Sequence, residues 1–166
     1  MNKMIQVTEE QFWSESSRYY LQPKVQSSLL RFQDEYDCNV NVMLFMLFLD
    51  KRNICITEQQ LMMLTQVTLE FSLQYTQSLR ALRKDFKQNQ TVIRDYETIR
   101  THLLEAELAL ERQEQSIIIN ALTPSSYLKV ENERSNTRLF EDIFLCQHSG
   151  YEQETIKLSD LNQLIR

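Results

Sequence analysis

Glycine and proline are almost missing from this chain: Gly150 stands alone, and Pro23 and Pro124 are the only prolines in 166 residues. Average usage is about 7% and about 5%. Tight turns and sheet corners draw on these two residue types, so their scarcity predicts few, long helices. A lone glycine also excludes the glycine-rich phosphate loops, both the P-loop and the dinucleotide fingerprint. Cys38, Cys55 and Cys146 lie far apart with no Cys-x-x-Cys spacing, which indicates neither a zinc site nor a disulfide framework. Buried thiols in a reducing cytoplasm are the expectation. The two histidines, His102 and His148, have no carboxylate or cysteine at metal-ligand spacing, and no nucleophile elbow accompanies them. No apolar run approaches the roughly 20 residues needed to cross a bilayer. Residues 1–6 lack the apolar core of a signal peptide. Positive charge is in deficit, at a net −5 and a pI near 5.1, which disfavours nucleic acid as a partner.

The longest apolar run is Val42-Met43-Leu44-Phe45-Met46-Leu47-Phe48-Leu49. As a helix it is apolar on every side for roughly 12 Å, the mark of the buried centre of a bundle. Around it, Thr8-Glu9-Glu10-Gln11 and Thr57-Glu58-Gln59-Gln60 are capping boxes that open helices. Pro23 suits the first turn of a second helix. Asp37 suits a left-handed helix stop and Asn39 the cap of the helix that follows. Helical spacing runs from Leu61 to Phe86, and again from about Thr91 to Leu122, where the exposed face reads as acidic at Glu105, Glu107, Glu111 and Glu114. Thr123-Pro124-Ser125-Ser126 is the clearest loop signal. The expected fold is all-α: one domain over 1–166, about six helices around a central helix at about 40–50, with 123–166 a weaker C-terminal extension of short helices.

A polar cluster abuts the apolar run. Gln33, Asp34 and Asn41 sit where the second and third helices meet, and buried carboxylates need partners. Arg80, Arg83 and Lys84 are the nearest supply, and arginine meets a carboxylate with two parallel hydrogen bonds. Those six residues form the candidate polar network or binding site, with an Asp34–arginine pair at its heart. Asp34 and Asp37 also have Asp-x-x-Asp spacing, but a divalent metal wants more oxygen ligands than these. No metal, cofactor or catalytic set is indicated.

Phe12-Trp13, Tyr20, Pro23, Val25, Gln33-Asp34 and Val40-Asn41 with the apolar run after them resemble a small all-helical proteobacterial family of unknown function. Its pattern is Phe-Trp, then Tyr-x-x-Pro-Gly-Val, then Leu-Gln-Asp-x-x-Gly-x-Asp-Val-Asn. Leu79-Arg80-Ala81-Leu82-Arg83-Lys84-Asp85-Phe86-Lys87 resembles its Pro-Leu-Arg-x-x-Arg-Arg-x-Leu-Lys block, and 104–108 with Glu114-Gln115 its acidic helix. The resemblance spans about residues 8–120. Lys24 and Asp37 stand where that pattern has glycine, Asn39 where it has aspartate, and Ser78 where it has proline. The resemblance implies a shape and no mechanism.

Three functions fit. The leading one is a cytoplasmic interaction or adaptor protein, not an enzyme, whose basic face at 80–87 and acidic face at 105–114 steer a protein partner. The second is a magnesium-dependent or ligand-binding all-α enzyme with a site near Asp34. The third is a structural homodimer, with whatever parts of the Phe12, Trp13, Tyr19 and Tyr20 face are exposed as its seam.

Overall fold

Helix caps set the element boundaries, and most fall where the side chains demand. In the computed structural model, which describes residues 7–122, 128–129 and 135–165, Thr8 Oγ1 accepts from Gln11 N and Gln11 Oε1 accepts from Thr8 N, opening α1 (Glu9–Tyr20). Pro23 takes the first turn of α2 (Pro23–Tyr36). Asp37 stops α2 in the left-handed region at φ 55. Asn39 Oδ1 then accepts from Val42 N at 3.1 Å and opens α3 (Val40–Lys51). Asn53, also left-handed at φ 53, turns the chain towards β1 (Ile54–Cys55). Asp and Asn thus supply the reversals for which glycine is the usual residue.

The Thr57 capping box opens α4 (Glu58–Phe71). A π-helical turn at Ser72–Thr76 joins it without a break to α5 (Gln77–Gln88). There Gln77 N reaches the Ser72 carbonyl, five residues back, and Ser78 Oγ donates to the Leu73 carbonyl. The long helix expected from about Thr91 begins five residues later, as α6 (Tyr96–Asn120). Asp95 is left-handed at φ 58, so the chain reverses there before the helix can start. The proline-containing loop signal at 123–126 and the N-terminal residues 1–6 fall outside the described residues.

After β2 (Leu128–Lys129), which pairs antiparallel with β1 over two residues, come α7 (Asn136–Phe140), a second π turn (Glu141–Leu145), a 3-10 turn (Tyr151–Gln153) and α8 (Leu161–Leu164). The fold class is all-α, and the strand pair is only a two-residue clasp.

The α3 helix is the core. Every residue from Asn41 to Leu49 is buried. Phe12 of α1 packs on Phe45 and Phe48 with centroids 5.0 and 5.2 Å away. Residues beyond 135 pack on the far end of α3 and add Leu139, Phe140, Leu145, Leu158 and Leu161 to the same core. Asp50 anchors them. Its Oδ1 accepts from Asn136 N (2.7 Å) and Nδ2 (2.8 Å), and its Oδ2 from Thr137 Oγ1 (2.7 Å) and Asn162 Nδ2 (2.9 Å). At the same end Arg52 stacks 3.8 Å over Phe48 and pairs with Glu15. Among the described residues no helix is long and apolar enough to cross a membrane. Cys38 is buried as expected, but Cys55 is half-buried and Cys146 exposed.

Candidate functional site

The α5 helix buries none of its residues. It runs alongside α6 and stands off the body, leaving a cavity of about 710 Å³ at its foot. The floor is α3 (Asn39, Val40, Asn41, Leu44) with Glu114 and Gln115 of α6. One wall is α1 and α2 (Trp13, Tyr20, Leu21, Leu30, Gln33). The opposite wall is Arg80, Arg83, Lys84 and Lys87 of α5, at spacings of three and four that set them on one helical face.

The charges on that wall fall into two groups. Arg80 is consumed within the fold: its Nε donates to Glu107 Oε1 (3.0 Å), its Nη1 to Gln33 Oε1 (2.9 Å) and its Nη2 to Glu111 Oε1 (2.6 Å). Arg83 Nε donates to Glu107 Oε2 at 2.6 Å. Lys84 and Lys87 are exposed and have no carboxylate partner among the described residues. Burial works against the charge on Arg80, but the hydrogen bonds and charges of Glu111 and Glu107 outweigh it and hold the guanidinium above its ordinary value. Glu111 behaves oppositely. Burial lifts its carboxyl above the usual carboxylate range, and Arg80 does not cancel that.

Beneath this ion-pair layer lies a second, buried network. Glu114 Oε2 accepts from Asn41 Nδ2 (2.9 Å) and Asn39 Nδ2 (3.0 Å). Gln115 Nε2 donates to Asn41 Oδ1 (3.0 Å) and Ser16 Oγ (2.9 Å). This ties α1, α3 and α6 together at the cavity floor.

Gln33, Asn41, Arg80, Arg83 and Lys84 therefore meet around one cavity. Asp34 does not join them: it is exposed, lies outside the lining and has no ion pair among the described residues. Successive helical residues point about 100° apart, so Gln33 facing inward turns Asp34 away. The Asp34–arginine pair is replaced by Arg80 and Arg83 with Glu107 and Glu111. Among the described residues no group of three His, Cys, Asp or Glu is placed to hold a metal.

The acidic face needs the larger correction. Glu107 and Glu114 are buried, Glu111 is half-buried, and only Glu105 faces water. The spacing 107, 111, 114 places all three on one side of α6, whereas Glu105 projects elsewhere. That periodicity was the available signal for residues that sequence reasoning left in solvent. Of the four aromatic residues expected at a dimer seam, Phe12 and Tyr19 are in the core, whereas Trp13 and Tyr20 are half-buried and line the cavity.

A family described as a protein of unknown function, DUF2390, matches residues 11–118, well over half of the chain. The chain belongs to that family. The DUF2390 segment runs from α1 almost to the end of α6, close to the stretch 8–120 over which the resemblance was drawn, and it contains every residue lining the cavity. Residues 135–165 lie outside it. No curated protein and no solved structure matches the chain.

Proposed function

We propose that the protein acts by binding, receiving an acidic, apolar segment of another protein in the cavity and on its rim. One observation carries this reading. Three side chains that line the cavity are also openly exposed: Leu21 at 80%, Leu108 at 52% and Leu30 at 37%. Apolar side chains left exposed around the mouth of one cavity favour a covering partner. A small molecule inside the cavity would leave Leu21 and Leu108 in water, whereas a polypeptide covers cavity and rim together. Lys84 and Lys87, which no carboxylate among the described residues neutralises, select an acidic occupant and speed its arrival. The internal pairing of Arg80 and Arg83 confines that selectivity to these two lysines. A cytoplasmic setting accords with three cysteines that lack disulfide or zinc spacing.

A photo-crosslinking residue placed at Leu108 tests the proposal in cells. The expected result is one defined protein adduct, with a yield that falls at least tenfold when Lys84→Glu and Lys87→Glu are added. No adduct, or an adduct indifferent to those charge reversals, overturns it. An adduct between two copies of the chain overturns it in favour of the homodimer.

A further inference from the structure

The three carboxylates on the inner face of α6 are not equivalent. Glu107 and Glu111 each have an arginine. Glu114, at 1% exposure the most buried of the three, has none among the described residues. Its Oε2 takes the amides of Asn39 and Asn41, and its Oε1 is buried with no hydrogen-bond partner among the described residues. The neighbouring donors are committed elsewhere. Arg80 spans Gln33, Glu107 and Glu111, Arg83 is held by Glu107, and Gln115 serves Ser16 and Asn41. Glu114 therefore lacks both a donor for one oxygen and a counter-charge, and a buried carboxylate needs both. It lines the cavity floor.

We infer that Glu114 is the receptor for a cationic anchor: the segment bound in the cavity inserts an arginine or lysine whose head reaches Glu114 Oε1. This rests on the docking reading above and adds to it the chemistry of the inserted residue. A neutral amide would supply the donor alone, whereas a guanidinium or ammonium supplies donor and charge together. Leu44 and Trp13, which also line the cavity, offer apolar surface for the methylene stem, as such side chains require. The geometry fixes a spacing as well. Glu107, which holds Arg83 beside Lys84, and Glu114 are seven residues apart on α6, roughly 10 Å along the axis. A helical partner that meets both ends of the site carries its anchor and an acidic residue two turns apart.

Trp13 is the only tryptophan in the chain and reports on the cavity directly. The full chain is titrated with butylguanidinium chloride and with its uncharged isostere butylurea at constant ionic strength. Readouts are Trp13 fluorescence and the side-chain amide signals of Asn39 and Asn41. Saturable millimolar binding of butylguanidinium is expected, with butylurea at least tenfold weaker and a tenfold loss in Glu114→Gln. Equal binding of butylurea, a response that does not saturate, or unchanged affinity in Glu114→Gln overturns the inference. The comparison of the two probes needs no substitution, so a poorly folded variant does not blunt it. A lysine-dependent Leu108 adduct without guanidinium binding rejects the anchor and keeps the docking site. Guanidinium binding without any Leu108 adduct rejects the protein segment and leaves Glu114 receiving a free organic cation.

Discussion

Arg80 is the residue on which the cavity wall depends. It makes three hydrogen bonds to three side chains from two other helices, and replacing it strands Glu111, whose carboxyl burial already lifts above its usual range. Removing one partner from a largely buried pair is costly because the other charge remains. Arg80→Met should therefore lower stability by about 2–3 kcal/mol in urea unfolding. Adding Glu111→Met should recover part of that loss, a non-additivity expected of contacting partners. Glu15 gives a pH prediction with a definite sign. Its hydrogen bonds from Arg52 hold the carboxyl below the usual range, against a smaller opposing effect of burial. A depressed carboxyl contributes stability above its unfolded value, and that contribution disappears as pH falls through the folded one. Tm in Arg52→Met should thus fall less steeply with acidification below about pH 4.5 than in the unsubstituted protein.

Among the elements, the caps were legible in the sequence because a cap is a local device. Thr8, Thr57, Asn39 and Pro23 act within four residues of themselves. The burial of 42–49 was legible because nothing polar interrupts it. The start of α6 was not, since a helical pattern running back to Thr91 hides the reversal at Asp95. The cavity lay in between. Its basic wall was readable from the spacing of Arg80, Arg83 and Lys84, but the carboxylates that meet it are more than twenty residues away. Charge alone does not say whether Glu107 faces water or an arginine across a helix pair. The left-handed stop at Asp37 yields a prediction on this scale. Aspartate tolerates that conformation less well than glycine, so Asp37→Gly should stabilise by about 0.5–1 kcal/mol. It should raise Tm by about 2–3 °C in differential scanning calorimetry.

Across the molecule, two polar centres sit at opposite ends of α3. Asn41 joins the cavity floor at one end, and at the other Asp50 gathers residues 136, 137 and 162. The second centre belongs to the part of the chain where the helical pattern fades, because there hydrogen bonds to one carboxylate do what periodic apolar contacts do elsewhere. Asp50→Ala should leave several buried donors unsatisfied, at a cost of about 3 kcal/mol or more. The opening should be local first. Trypsin should cut after Arg138 at least tenfold faster than in the unsubstituted protein, before circular dichroism shows loss of the α1–α6 helices.

The π turn at Ser72–Thr76 gives the molecule a phase control. It slips one surplus residue into an otherwise continuous rod from 58 to 88. Were the same residues to wind as ordinary α-helix through that stretch, everything beyond it would rotate by about 100°. Arg80 would swing off Glu107, the lysine pair would leave the mouth, and the cavity would lose a wall with no change to any residue that forms it.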